Sequence, residues 1–406
     1  MVLKPIAYIE RHMRGMDYFV LWFGASISIA EIYAGNILVP LGWAAGLAAI
    51  ILGHAIGNVP LALGGLIGSD KGLPTMYLLR PTFGKNGSYL ATLLNILQLI
   101  GWTAIMLIIC GKAVQTLLNF TGAGSTQLWI VISGAVCTAW ALVGRSTFKW
   151  LQRLSIITLG ALCAVMTVML FLESGSVRTA GGGEPSLLTF GQGLDLCIAM
   201  PISWLPLVAD YSRFASSKKG CFIGTYLGYF IGSSWMFALG LASGLILDKP
   251  EPIISFATLW FGVPALVIVL FSTFTTTFLD IYSSAVSSLN LSPRLRGSVS
   301  TAVAGGLGIA VALVLPIERY EDFLYTLGSF FIPLFGVVLT HYFFLDYDIE
   351  SRKNIDWIAL ITWLLGVVFY QFCLRTGFIA GASLPSLIGT GLLFFVLKRI
   401  VGMRRG

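Results

Sequence analysis

Two carboxylates sit in this chain where carboxylates are costly. Glu31 lies in Gly24-Ala25-Ser26-Ile27-Ser28-Ile29-Ala30-Glu31-Ile32-Tyr33-Ala34-Gly35, inside a long apolar run that two glycines and two serines loosen. Asp280 stands behind a run of hydroxyls, Ser272-Thr273-Phe274-Thr275-Thr276-Thr277. A carboxylate at the centre of a membrane helix costs about 2.5–3.5 kcal/mol on insertion scales, so acids at that depth point to function. The two segments are expected to face each other across a site for a substrate and a cation. The alternative is that an acid pairs with Lys112 or is held protonated.

Other groups extend this reading. Asn95, Gln98 and Trp102 fall at i, i+3 and i+7, one face of a helix. A flat aromatic beside two amides suits a planar heterocycle with donor and acceptor edges, and Gly101 leaves room beside the indole. Packing between helices is the competing explanation. Ser272, Thr275, Thr276 and Asp280 share a face by the same periodicity. Their oxygens suit a hard cation such as Na⁺, unless each hydroxyl bonds back to its own helix. Ser28 beside Glu31, and Ser203 and Trp204 between Pro201 and Pro206, complete the expected substrate-binding set. His12, His54 and His341 are far apart with no metal-ligand spacing. No Walker loop, nucleophile elbow or HExxH helix is present, so the chain does not read as an enzyme and needs no resident cofactor.

Composition says what must position these groups. Hydrophobic residues make up 57% of 406 and charged residues 11%, with a mean hydropathy of +0.87. A soluble protein of this length needs far more polar surface, so the chain reads as an all-α polytopic membrane protein. The 46 glycines fit helices that approach closely in a bilayer. A net charge of +7 comes from basic residues scattered between apolar runs rather than clustered, which argues against a nucleic-acid partner. The six cysteines form no CxxC pair and read as buried free thiols. The polar stretch Met1–Asp17 lacks the apolar core of a signal peptide.

A span needs about 20 apolar residues. Twelve candidates can be drawn, at 18–40, 44–68, 87–116, 127–144, 154–172, 190–212, 221–246, 255–290, 297–316, 323–345, 357–374 and 380–401. With the N-terminus inside, the outer loops hold only Arg178, Lys249, Arg319 and Arg375, and Lys112 lies within the third span. Every other Lys and Arg is then inside, as the positive-inside rule requires. Both termini are thus expected in the cytoplasm. The polar, turn-rich Ser69–Gly84 reads as a re-entrant or interfacial helix, and Gly181-Gly182-Gly183 as an external loop. Asp195 and Asp210, near the ends of the sixth span, read as interfacial, with Arg213 tethering Asp210. The first span carries Gly24, Gly35 and Pro40, and the sixth Pro201 and Pro206. Proline frees carbonyls one turn back, and at membrane depth these must meet a cavity, water or an ion. Breaks at positions one and six are what two inverted five-helix repeats produce, with ligands bound between half-helices. The expected organisation is one transporter domain: a first repeat over 1–172, a second over 190–345, and two additional helices over 357–401.

Five stretches together resemble the nucleobase–cation symporter-1 family. They are Lys71-Gly72-Leu73 through Phe83-Gly84, Gln98 through Gly101-Trp102, Val208-Ala209-Asp210-Tyr211-Ser212-Arg213-Phe214, Thr275-Thr276, and Phe331-Ile332-Pro333-Leu334-Phe335-Gly336. The resemblance covers nearly the whole chain. It implies a LeuT-like fold and Na⁺- or H⁺-coupled uptake of nucleobases and related heterocycles. It also implies that Trp102 stacks on the substrate ring, and that Gln98, with a one-residue offset, supplies a nearby amide. By the same resemblance, Gly24 and Ile27 offer carbonyls to sodium, and Ser272, Thr275 and Thr276 complete its site. One departure is that Pro201 stands where the family often has an aromatic, with Trp204 one turn later. The segments around Glu31 and Asp280 look like the hydroxymethylpyrimidine branch, whose substrate feeds thiamine synthesis. A carboxyl can accept from a 4-amino group and, if protonated, donate to the ring nitrogen. The resulting expectation is an inner-membrane carrier for hydroxymethylpyrimidine, acting as a monomer, with no cofactor and with Na⁺ as coupling ion; the alternative is cytosine or another nucleobase, with H⁺.

Overall fold

The computed structural model describes residues 4–118, 124–143, 145–173, 188–247, 262–315, 320–349, 353–378 and 380–403. The Gly181–Gly183 stretch, Arg178, Lys249, Arg319 and the start of the eighth expected span lie outside the described residues. A helix underlies each of the twelve expected segments. Among the described residues, eight helical segments are long and apolar enough to cross a membrane, and Ile157–Leu172 and Gly297–Ala312 are shorter apolar helices. Their outer faces carry exposed Leu97, Val168, Val368, Phe372 and Leu392, the surface expected where hydrocarbon rather than water is the solvent.

The first expected span is two helices, α1 (Gly15–Ser26) and α2 (Ile29–Ile37). Next come α3 (Gly42–Lys71), α4 (Gly87–Leu118), α5 (Thr126–Val143) and α6 (Arg145–Glu173). Ser69–Gly84, read as one re-entrant or interfacial helix, holds instead two four-residue helical turns, Thr75–Leu78 and Arg80–Phe83, both buried on most of their residues. The second half contains α7 (Phe190–Trp204), a 3₁₀ turn at Leu205–Leu207 and α8 (Val208–Ser212). It continues with α9 (Lys218–Leu247), α10 (Gly262–Leu291), α11 (Gly297–Ala312) and α12 (Tyr320–Phe344). Two more helices follow, α13 (Trp357–Thr376) and α14 (Ser383–Met403).

The interrupted segments are held at close range by helices lined with small residues. α9 packs along α1 and α2, and α3 packs along α7. A Cβ at Gly228 would collide with the carbonyl oxygen of Phe19, and one at Gly240 with that of Ile32. Membrane helices associate through this kind of backbone approach, because lipid offers no hydrophobic drive between them. The third layer is α4 against α10, and α12 against α7. Together these contacts place both interruptions in the middle of the bundle. All six cysteines are buried and free.

Candidate substrate and cation site

The break between α1 and α2 rearranges four backbone groups. Ile27 leaves the helical region and Ser28 is extended, with its hydroxyl capping α2 by accepting from the Glu31 N–H at 3.3 Å. The Ser28 N–H turns to the Ser26 carbonyl at 2.9 Å. In an unbroken helix these two N–H groups would serve the carbonyls of Gly24 and Ile27. Both carbonyls therefore lose their ordinary partner. Across the break, the Ile29 N–H donates to Ser272 Oγ at 3.2 Å, so α10 lies against the gap.

Four elements close on one small cavity. Ser28, Ala30 and Glu31 come from the break and α2, Trp102 and Met106 from α4, Met200 and Trp204 from α7, and Thr276 and Asp280 from α10. Each full helix contributes two residues one turn apart, the spacing that puts both on one face. The cavity measures about 20 Å³, room for roughly one water molecule. Its aromatic walls are braced from behind. Trp102 meets Tyr320 and Phe323 edge-on at 6.0 and 5.4 Å, and Trp204 meets Trp22 edge-on at 5.9 Å. The Tyr320 hydroxyl donates to the Ala30 carbonyl at 3.1 Å. The room expected beside the indole at Gly101 is taken by the Phe323 ring, which a Cβ there would strike at 2.7 Å.

The two acids differ in their surroundings. Asp280 is 3% exposed, and among the described residues its carboxyl has no hydrogen-bond partner. Glu31, 1% exposed, is fully engaged. Tyr229 Oη is 2.5 Å from Oε1 and Ser233 Oγ 2.6 Å from Oε2, both from α9. Ser233 Oγ also lies 2.6 Å from His54 Nε2 on α3. Sequence reasoning missed Tyr229, Ser233 and His54. The i, i+4 spacing of the first two was visible, but nothing in the sequence says that α9 faces Glu31.

The amide pair lies behind the cavity rather than on its wall. Gln98 Nε2 donates to Asn95 Oδ1 at 2.8 Å and to the Ser203 carbonyl at 3.2 Å, while Asn95 Nδ2 donates to Ser287 Oγ at 2.8 Å. The pair thus ties α4 to α7 and α10. Among the described residues, Gln98 Oε1 is buried with no hydrogen-bond partner. The Ser203 hydroxyl donates to the Met200 carbonyl at 2.6 Å. Thr275 and Thr276 donate to the Ser272 carbonyl at 3.0 and 2.8 Å, which leaves their oxygen lone pairs available as ligands.

Asp195 and Asp210, read as interfacial, are each 1% exposed and packed within the protein. Asp195 accepts from the N–H groups of Ala382 and Ser383 at 2.6 and 2.8 Å, at the start of α14. Asp210 Oδ1 accepts from the Thr75 N–H at 3.1 Å, and Arg213 Nε donates to the Asp210 carbonyl at 3.1 Å. Their burial follows from backbone donors that the sequence pattern does not reveal. Groups of three or more His, Cys, Asp or Glu placed to hold a metal ion are absent among the described residues.

Residues 5–378 match the family described as permease for cytosine/purines, uracil, thiamine, allantoin. The cytosine permease of Escherichia coli (strain K12) is 24% identical over 421 residues, covering 99% of this chain and 93% of that protein. Mhp1, a nucleobase-cation-symport-1 family transporter solved closed with bromovinylhydantoin bound, superposes with a TM-score of 0.83 at 18% identity, covering 99% of this chain and 95% of Mhp1. A Na⁺-coupled sialic acid symporter, substrate-bound and outward-open, gives a TM-score of 0.68 at 14% identity, covering 96% and 92% of the two chains.

Proposed function

This chain belongs to the family of permeases for cytosine, purines, uracil, thiamine and allantoin, and we propose that it is a cation-coupled carrier for a pyrimidine. It is a multi-pass membrane transporter with the LeuT-like fold, not an enzyme, and a small heterocycle is its class of substrate. The finer reading is hydroxymethylpyrimidine with Na⁺ as coupling ion. Twelve spans with both termini in the cytoplasm, an inner-membrane location, the repeat division at 1–172 and 190–345, and action as a monomer belong to the same proposal.

One observation carries it. Asp280 presents an unpartnered carboxyl to a cavity that Trp102 and Trp204 also line. A buried carboxyl with no partner carries a desolvation penalty, and an aminopyrimidine supplies the missing donor. Trp102 stacks on the ring, Trp204 forms the second wall, Gln98 Oε1 offers a further acceptor, and Asn95 and Ser203 hold Gln98 in place. The walls must part to admit a ring, so binding requires a change of shape. The cation rests on the Gly24 and Ile27 carbonyls with Ser272, Thr275 and Thr276. The carbonyls released by the break and the hydroxyl lone pairs of α10 support that assignment.

A second reading, cytosine as substrate, is favoured by the E. coli cytosine permease named above. Uptake of labelled hydroxymethylpyrimidine into proteoliposomes, competed by cold hydroxymethylpyrimidine or cold cytosine, separates the two. Preferential block by cytosine rejects the first substrate. Uptake that does not respond to a sodium gradient rejects the cation.

A further inference from the structure

Glu31, Ser233 and His54 obey a proton count that fixes what they can do. His54 Nδ1 lies 2.8 Å from the Ile50 carbonyl. A carbonyl only accepts, so Nδ1 carries a proton in every state of this chain of bonds. Ser233 has one hydroxyl proton and two close partners, the oxygen Glu31 Oε2 and the nitrogen His54 Nε2, both at 2.6 Å. If Ser233 donates to His54, the imidazole is neutral and Glu31 must be the donor, a carboxylic acid. If Ser233 donates to Glu31, the acid is ionised and His54 Nε2 must donate, making an imidazolium. Both bonds can exist together only when one proton, beyond those on Nδ1 and the serine, resides on the chain. Tyr229 donating to Oε1 is compatible with either state.

We propose that Glu31, Ser233 and His54 form a binding site for a single transferable proton, with Glu31 at the cavity wall and His54 behind it. The step conserves atoms and charge. The Glu31 Oε2–H bond breaks as its proton passes to Ser233 Oγ, and the serine proton forms a new N–H bond at His54 Nε2. Its effect is to exchange a neutral acid on the cavity wall for a carboxylate, with the positive charge one residue back. A ligand edge that offers N–H groups favours the carboxylate; one that offers lone pairs favours the acid. Titratable groups facing the chain are Tyr229 on α9, Cys197 on α7, Tyr320 on α12 and Asp280 across the cavity. His54 is fully buried against the Phe237 ring, 4.7 Å away, so its proton exchanges through Ser233. Its bonds run to α9 and α3, away from the hydroxyl and carbonyl cluster at the α1–α2 break, with which Glu31 shares only the cavity that Thr276 also lines.

The test needs no ligand and so stands apart from the proposed function. Purified full-length protein is titrated with pH and followed by infrared difference spectroscopy. The expected result is a carboxylic-acid stretch that disappears in E31Q and that changes together with histidine ring bands in one step. S233A should split that step into two, and S233T, which keeps the hydroxyl, should restore it and show that the fold is intact. Carboxyl and histidine signals that titrate separately in the unaltered protein, or a single step that survives S233A, would overturn the proposal. Failure of uptake with both pyrimidines, alongside an intact coupled step, would reject the carrier reading and leave the proton site standing.

Discussion

Asp280 and Trp102 make different kinds of contact, and their substitution should separate binding from orientation. Trp102→Ala removes a stacking face and is expected to weaken pyrimidine binding by roughly 1–3 kcal/mol, by analogy with base–aromatic stacking. Isothermal titration on detergent-solubilised protein checks this. Asp280→Asn keeps the shape but replaces a carboxyl with an amide. It should abolish uptake of the preferred pyrimidine while leaving thermal stability unchanged or higher, since an unpartnered buried carboxyl is itself destabilising. Thr276→Ala should raise the sodium concentration needed for half-maximal uptake. Loss of folding in all three variants would assign these residues to packing instead. Outside the membrane-spanning helices, Asp356 caps α13 through the Ala359 N–H at 3.1 Å and meets Lys398 at 2.5 Å. Burial works to raise its carboxyl, but the bonds from Lys398 and Ala359 and the nearby lysine charges outweigh it and hold it below the usual carboxylate range. Its contribution to stability is therefore present above the ordinary carboxylate pKa and is lost as pH falls through the lowered one. Asp356→Asn should flatten the acid limb of a melting curve series; an unchanged limb would remove Asp356 from that role.

At the scale of elements, the contact between α1 and α9 is set by close backbone approach. Gly228 brings backbone against backbone at Phe19, so Gly228→Val forces the two helices apart. Overpacking of this kind costs about 1–3 kcal/mol, and a lowered melting temperature in detergent would report it. An equal change for Gly306→Val, which has open space around its Cβ position, would show that the effect is not one of packing. The helical segments themselves were legible in the sequence, because a membrane span is written in twenty consecutive residues. Trp102, Trp204, Thr276 and Asp280 could also be read, since aromatic and acidic residues stand out in an apolar run. Met106 and Met200, one turn from each tryptophan, could not, because a methionine in such a run looks like filling. His54 and Ser233 were hidden for another reason. Their meaning arises only from the register of α3 and α9 against Glu31, and register is a property of packing.

Single polar links tie distant parts of the molecule to its interrupted helices. Asp195 on α7 reaches the start of α14, so the additional pair of helices is fastened to one of the interrupted segments. On another flank, Tyr320 of α12 reaches the Ala30 carbonyl beside the break. A neutral hydrogen bond contributes a net of about 0.5–1.5 kcal/mol, only one to a few times the thermal energy. The tether between the α12 phenol and the chain beside the break is therefore weak enough to part and re-form with ordinary thermal motion.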